Sequence, residues 1–468
     1  MTVPYRFEQT ATASALRDDY GALEPGTETG VVVSVAGRLM LRREQGKLAF
    51  GTLDDGTGRI QLFAGNAWTE NFAEFCRLSL GDWIGVKGEV VATRTGELSV
   101  KVAEWVVLAE TKRQFPDKWH GISDPDMRYR QRYVDTWVTE DARKTLLARS
   151  KVLSEMRRFL EDRGFIEVET PVLHGVAGGG TAKKFTTHFN SLDADFDLRI
   201  ASELYLKRLV VAGFTKVFEI SRVFRNEGLS PRHNPEFTML ELQEAYADYQ
   251  DMMTLFEELV SHLAMQVCGT THLTYGGRDL DLTPPWRRAT MDELVEEATG
   301  VRVDINSPVE ELRALAREHG VKTEDGWGPG KLLVEIYEKT AETNLWGPVF
   351  VTDHPKETSP LARDHRERRG YTERFEPIVA GRELGNAFTE LVDPVEQRAT
   401  FEAQARAKAG GDDEAMSVDE DYIRALEYGL PPNGGLGIGV DRLVMLLTDA
   451  QNIRDVLPFP ALRPEVFD

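Results

Sequence analysis

Two arginines, two glutamates and a histidine crowd into FRNEGLSPRHNPEF, Phe224 to Phe237. The flanking runs KVFEISRVFRNE and EFTMLELQEA alternate apolar and polar residues, and the turn between them holds Gly228, Pro231 and Pro235. That pattern predicts two strands and a loop, with Arg225 and Glu227 on one face and Glu241 and Gln243 sharing a face of the returning strand. A planar guanidinium grips a phosphate or carboxylate with two parallel hydrogen bonds, and a carboxylate such as Glu241 can hold an ammonium. Under a loop carrying Arg232 and His233, the set suits a ligand with both anionic and cationic groups. Charged strand residues also form solvated ion-pair ladders, so this stretch does not decide the matter alone.

Two further constellations point the same way. In RFEPIVAGRELGNAFTEL, strand parity puts Asn386, Phe388 and Glu390 on one face, and Glu376 and Glu383 flank the preceding turn. Two neighbouring carboxylates are what Mg2+ bridged to nucleotide phosphates needs, because that ion keeps several waters and takes only one or two protein carboxylates. In NGGLGIGVDRLVMLLTD, Gly435, Gly437 and Gly439 alternate, leaving one strand face bare so that a flat base could approach the backbone. The spacing is not that of a dinucleotide-binding fingerprint. Arg442 follows at the start of an apolar helix, placed for a phosphate.

These side chains need a scaffold, and the chain reads as a small β domain followed by a larger mixed one. From Thr29 to Leu108 come TGVVVSVAGRLML, KLAFGTL, GRIQLFAG, GDWIGVKGEVV and ELSVKVAEWVVL, with turn pairs at Asp55-Gly56 and Gly81-Asp82 and a helical stretch at Trp68 to Leu78. Five strands in such a span predict an OB-type barrel, a fold that holds single-stranded nucleic acid or sugars. A connector rich in Pro and charge, QFPDKWHGISDPDMRYRQRYVD, precedes a helix over Thr145 to Arg163 that Gly164 ends. FIEVETPVL then predicts a strand whose Pro171 suits an edge. Later strands (VFEIS, EFTMLEL, PVFVTD, ERFEPIV, ELGNAFTEL) alternate with helices such as DYQDMMTLFEELVSHLAMQV, giving an antiparallel sheet flanked by helices and an α+β class. GWGPGKLLVEIYEKTAETN and the acidic stretch Gly410 to Asp421 read as insertions or loops. The expected domains are residues 1–115, a linker at 116–143, and 144–468.

Bulk properties narrow the function. At 468 residues and 41% hydrophobic content the chain is globular, with no apolar run near the roughly 18 residues of a membrane span. The first twenty residues carry no export or organelle pattern, which predicts a cytoplasmic protein. Cys76 and Cys268 have neither disulfide nor zinc spacing. The net charge of −21 excludes a general nucleic-acid coat, DNA included. From Met1 to Lys118 there are 14 basic and 16 acidic residues, a balance of −2 that leaves −19 for the remainder. Nucleic-acid contact must then come from local patches and stacking.

Over nearly its whole length the chain resembles the class II lysyl-tRNA synthetase family of bacterial type. The segments that carry the resemblance are ASELYLKRLVVAGFTKVFEISRVFRNEG, HNPEFTMLELQEAYADY, HPKETSPLAR, RFEPIVAGRELGNAFTEL and GLGIGVDRLVMLLTDAQNIRDVLPFP. The run VAGRLMLRREQGKLAFGTLDDGTGRIQLF resembles that family's anticodon-binding barrel. The resemblance implies that Arg225 meets the ATP α-phosphate and the amino-acid carboxylate, that Glu227, His233 and Asn234 hold ATP, and that Phe237 stacks on adenine. It assigns the γ-phosphate to Arg442 with Gly439 nearby, Mg2+ to Glu376 and Glu383, and catalysis to Arg225 and Arg442. For L-lysine it assigns the α-ammonium to Glu203 and Glu241, the carboxylate to Asn386, and the ε-ammonium to Glu390, with Gln243 and Phe388 in the same pocket. In the barrel, Arg43, Phe50, Gln61 and Glu97 match anticodon contacts. The helix at Thr145 to Arg163 with FIEVETPVL is similar to the motif that makes a homodimer in this class.

The implied reaction is ATP-dependent activation of L-lysine and its transfer to tRNA(Lys), with Glu390 left unpaired by an uncharged analogue. Two departures stand out: Gln243 replaces the tyrosine usual in the family, and AKKF at Ala182 to Phe185 replaces ARPF or AKPF. The rivals are an aspartyl enzyme of the same subclass, which needs a cation where Glu390 stands, a paralogue that lysylates a protein, whose kind lacks the barrel, and a non-catalytic relative.

Overall fold

The computed structural model describes residues 3–113, 121–180, 182–409 and 417–465. Residues 114–120 of the connector and 410–416 of the acidic stretch lie outside the described residues. The chain forms two compact units, Met1–Thr139 and Glu140–Asp468. The division falls inside the stretch read as a linker, which is helical at Pro125–Arg130 and Arg132–Val138.

In the first unit, β1 (Glu28–Gln45), β2 (Leu48–Asp54), β3 (Arg59–Gly65), β4 (Trp83–Ala92) and β5 (Leu98–Ala109) close a barrel in the order β1-β2-β3-β5-β4. Alternation explains its interior: Val33, Val35, Leu53, Leu62, Val86, Val100 and Val102 point inward and are buried. Closure also leaves no sheet edge to pair with another chain. The helical stretch contracts to Phe72–Phe75, anchored by the fully buried Phe75.

The second unit contains β6 (Ile166–Glu167), β7 (Leu173–His174), β8 (Thr186–Phe189), β9 (Ala194–Leu198), β10 (Lys216–Phe224), β11 (Glu236–Ala245), β12 (His272–Tyr275), β13 (Arg278–Asp281), β14 (Arg287–Thr290), β15 (Val349–Thr352), β16 (Arg374–Val379), β17 (Arg382–Glu383), β18 (Gly385–Thr389) and β19 (Asn433–Gly439). The main sheet runs β14-β15-β16-β18-β19-β11-β10-β6, with β17 on β16. Its centre is antiparallel as expected, but the outermost pairs, β14 with β15 and β6 with β10, are parallel. FIEVETPVL does not form one strand. Pro171 interrupts it, since a proline cannot donate to a ladder, and the chain switches from β6 to β7 in the small sheet β7-β9-β8.

Helices hold the sheet from behind. Helix Tyr249–Cys268 lays Phe256, Leu259, Val260 and Leu263 on the sheet at helical spacing, and burial of such side chains contributes roughly 1.5–3 kcal/mol each. Asp248 and Asp251 form its capping box, and Gly269, at φ 77°, ends it. The stretch read as an insertion, GWGPGKLLVEIYEKTAETN, is a core element instead. Helix Pro329–Thr340 buries Leu332, Leu333, Ile336 and Tyr337 in a cluster with Val351 of β15 and Ile378 of β16.

Candidate active site

Glu241 and Gln243 on β11 face Gly437 and Gly435 of β19, and those glycines face Asn386 and Phe388 of β18. Three adjacent strands thus present a polar row, a bare row and a second polar row. The bare strand serves side chains as well as any ligand. A Cβ on Gly435 would overlap Glu390 Oε1 and crowd Gln243 Nε2, so only glycine leaves those groups room to meet. All fifteen catalytic, ATP-binding and lysine-binding residues named above line one cavity of about 440 Å³, a size suited to a small-molecule substrate.

The floor of the cavity is dry and densely paired. Glu241, 5% exposed, accepts from Ser202 N at 2.6 Å and Ser202 Oγ at 2.8 Å, while burial pushes its carboxyl up to about 7. Glu390 is fully buried at the end of β18. Its Oε1 accepts from Gln243 Nε2 at 2.8 Å, and Gln243 Oε1 in turn accepts from Asn433 Nδ2. Its Oε2 lies 2.5 Å from Lys207 Nζ, and the same ammonium lies 2.5 Å from Glu203 Oε1. Burial drives the Glu390 carboxyl upward and Lys207 opposes it. For Lys207, burial works against the charge, but Glu203 and Glu390 outweigh it and hold the ammonium above its ordinary range. The expectation that Glu390 waits unpaired for a cation is therefore corrected: it already has a cation and an amide donor.

The mouth is wetter. β10 ends at Phe224, so Arg225 and Glu227 stand in the loop beyond it, where strand parity had put them on the strand. The Arg225 guanidinium packs 5.1 Å from the Phe237 ring centroid and makes no ion pair among the described residues, and its Nε is buried without a partner. Arg442 donates to the Glu383 carbonyl at 2.8 Å and to its Oε2 at 3.1 Å, and its guanidinium is 3.4 Å from His233 Nε2. Burial, then Arg442, lowers His233 and keeps it neutral. Asn234 braces the loop, donating to Glu236 O and accepting from Ala461 N. Glu376 pairs with Arg374 at 2.5 Å, and Arg374 also donates to Asn386 Oδ1 at 2.8 Å. Ile378 pairs with Glu383 across a two-residue turn, Ala380-Gly381, with φ of 53° and 66°. A Cβ on Gly381 would meet Thr343 O at 2.9 Å, which makes that glycine structural.

Several supporting groups escaped sequence reading. Lys207, Ser202, Arg374 and Asn433 act through tertiary contacts; of these only the Glu203–Lys207 spacing of i, i+4 was visible in the chain. Asp441, next to Arg442, accepts from Thr238 N at 2.8 Å and pairs with the buried Arg149, tying helix Val440–Leu447 to β11. The AKKF departure is also accounted for: Lys184 pairs with Asp197 at 2.6 Å, and Asn226 N donates to Lys183 O at 2.8 Å. Among the described residues no trio of His, Cys, Asp or Glu is set to hold a metal; Glu376 and Glu383, the pair the resemblance assigns to Mg2+, both line the cavity. Burial pushes neighbouring Glu342 up to about 7, assisted by Glu338, Glu376 and Glu383. That surplus of negative potential fits a divalent cation.

On the barrel, Arg43 and Phe50 are register partners, and Phe50 stacks on Phe63 with centroids 5.3 Å apart and planes 12° apart. Arg43 lies 5.3 Å from the Phe50 centroid, and Trp68 meets Phe63 edge-on at 5.2 Å. Gln61, two residues from Phe63 on the same face, donates to Ser99 Oγ at 2.9 Å. Glu97 is exposed just before β5. Phe63, Trp68 and Lys101 join this cluster of rings and cations beside the four residues named from sequence.

The family model described as tRNA synthetases class II (D, K and N) matches residues 124–463, and that described as OB-fold nucleic acid binding domain matches residues 33–108. Fold, cavity and match define an aminoacyl-tRNA synthetase of class II, a ligase. The chain is 52% identical to the lysine–tRNA ligase of Synechococcus sp. (strain RCC307), covering 100% of this chain and 94% of the relative. It is 53% identical to the lysine–tRNA ligase of Synechococcus sp. (strain CC9311), over 99% and 96%, and 50% identical to that of Nostoc punctiforme (strain ATCC 29133 / PCC 73102), over 98% and 84%. Within its class, the chain belongs to the lysine–tRNA ligase family.

Proposed function

We propose that this cavity activates L-lysine with ATP and passes the lysyl group to the 3′ end of tRNA(Lys). The observation that carries the reading is the charge arrangement. The carboxyl groups of Glu203, Glu241 and Glu390 outnumber the one resident ammonium, Lys207, by two, matching the two ammoniums of lysine, while Arg225, which has no ion pair among the described residues, takes its carboxylate. An aspartyl substrate would bring its side-chain carboxylate against Glu390. A lysine carboxylate oxygen attacks the α-phosphorus in line, forming the acyl-phosphate bond as the bond to pyrophosphate breaks. The terminal adenosine hydroxyl of the tRNA then attacks the carbonyl and AMP leaves. No protein nucleophile takes part. Arg225 positions both reacting groups and stabilises charge on the α-phosphate, Arg442 and His233 hold the outer phosphates with Glu227 and Asn234, and Phe237 offers its ring to adenine. Glu376 and Glu383 would hold Mg2+, which when bound neutralises phosphate charge.

In the barrel, Arg43, Phe50, Gln61 and Glu97 read the anticodon, with base stacking worth about 1–3 kcal/mol. A homodimer is supported by exposed apolar residues on the Thr145 to Arg163 helix and FIEVETPVL: Leu147 is 61% exposed, Ile166 50% and Leu173 43%. Among the described residues no helix is long and apolar enough to cross a membrane, in keeping with a cytoplasmic site of action.

The test is exchange of labelled pyrophosphate into ATP with each of the twenty amino acids and Mg2+, followed by charging of tRNA. Exchange with lysine alone and charging of tRNA(Lys) are expected. Exchange with aspartate would overturn the assignment.

A further inference from the structure

Lys207 is fully buried on helix Glu203–Val211, does not line the cavity, and takes no part in the bond changes just described. Its ammonium nevertheless touches the two carboxylates that matter at the side-chain end, 2.5 Å from Glu203 Oε1 and 2.5 Å from Glu390 Oε2. Around it stand the Phe388 ring at 5.4 Å and the Tyr422 ring at 6.0 Å, which exclude water. We infer that Lys207 is the resident counter-cation of the amino-acid pocket, a positioning residue that fixes Glu203 and Glu390 and sets the pocket's charge so that only a cationic side chain is taken. The inference rests on the lysine reading and deepens it.

The physical argument has three parts. A buried carboxylate with no cation takes up a proton instead of staying charged, so without Lys207 the empty pocket would present a neutral Glu390. A neutral Glu390 offers no penalty against an uncharged side chain, and selectivity would fall. Among the described residues no second cation faces Glu390. Among the described residues, the charged and titratable groups facing Glu390 are Lys207 and Glu203 from one helix and Tyr422 from helix Glu420–Glu427, while β11 and β19 present the neutral amides of Gln243 and Asn433. Arg208, the next cation on the helix, is engaged by Asp419 at 2.8 Å and stacks on Tyr205. With a lysine substrate bound, Glu390 sits between two ammoniums, one resident and one arriving, and Gln243 fixes its orientation. Gln243 thus does here, through the Asn433 relay, an orienting task that needs no phenol.

The experiment is pyrophosphate exchange by the full-length protein and Lys207→Met, measured against lysine, ATP and norleucine from pH 6 to 9. For Lys207→Met the expected result is a lysine KM raised at least about tenfold at pH 7, an ATP KM within about twofold, a lysine pH profile displaced to higher pH by about a unit or more, and a smaller lysine-to-norleucine preference. A Met variant with the parent's lysine KM and pH profile would overturn the inference. If Lys207→Met does not fold, Lys207→Arg decides: it keeps the charge but is wider, so lysine KM should rise with the pH profile unmoved, and a parental KM overturns the positioning claim. Failure of the unaltered protein to exchange with lysine would instead reject the functional reading on which this rests.

Discussion

At the amino-acid end of the cavity Glu241, Gln243 and Glu390 are 5%, 2% and 0% exposed and are bonded before any substrate arrives, whereas at the nucleotide end the Arg442 and Glu383 side chains are 28% and 40% exposed and Arg225 has no ion pair among the described residues. Desolvation explains the difference. A charge withdrawn from water must be paired in the folded protein, so the buried end carries its own cation and donors; a partly exposed guanidinium keeps contact with water until a phosphate displaces it. The buried end should therefore couple activity to stability, and the open end should not.

The strongest way to break this contrast is Arg225→Ala. It should lower the rate of lysine-dependent exchange by at least about 10³-fold while leaving the thermal midpoint near the parent's, because a preorganised charge on the reacting phosphate is lost and no buried pair is broken. Rapid-quench exchange and a melting curve on the same sample check both halves. At the buried end, Glu390→Gln should cost both. Breaking a buried pair costs roughly 3–5 kcal/mol, so lysine kcat/KM should fall by at least about 10²-fold and the thermal midpoint should drop as Lys207 loses a partner. An unchanged midpoint would mean that the pair is not desolvated.

The comparison is sharpened by Gln243→Ala. Loss of one hydrogen bond to a charged carboxylate should raise lysine KM about ten- to hundredfold with ATP KM unmoved, as steady-state exchange would show. The pH dependence follows from Glu241. Burial places its carboxyl at about 7, and the α-ammonium needs it ionised, so lysine kcat/KM should climb toward about tenfold per unit below pH 7 and level off above it. A profile flat from pH 5.5 to 8 would remove Glu241 from that role. Smallest of all in the activation step is Phe50→Ala, which should leave lysine-dependent exchange as in the parent while raising the KM for tRNA by about five- to hundredfold.

The sequence made one end more legible than the other. Alternation along KVFEISRVF and EFTMLELQEA predicted the hairpin, and parity correctly placed Glu241 beside Gln243 and Asn386 beside Phe388. Those are local regularities of a strand. Lys207 was hidden because its bond to Glu390 joins a helix to the end of β18, and no local pattern encodes that approach. Helix Pro329–Thr340 was read as an insertion because its Gly-Pro-rich entry resembles a loop, although Leu332, Leu333 and Ile336 keep a helical apolar spacing. Arg225 and Glu227 were placed on a strand that stops one residue earlier, because alternation continues into a loop held by Pro235 O and Lys183 O.

The central claim is that the buried end is built for a cationic side chain. The most direct measurement is pyrophosphate exchange with lysine against norleucine, its uncharged analogue of similar length. The structure predicts a lysine preference of about 10⁴-fold or more in kcat/KM, since norleucine would leave the surplus charge of the pocket unmet. Norleucine within about tenfold of lysine would contradict it.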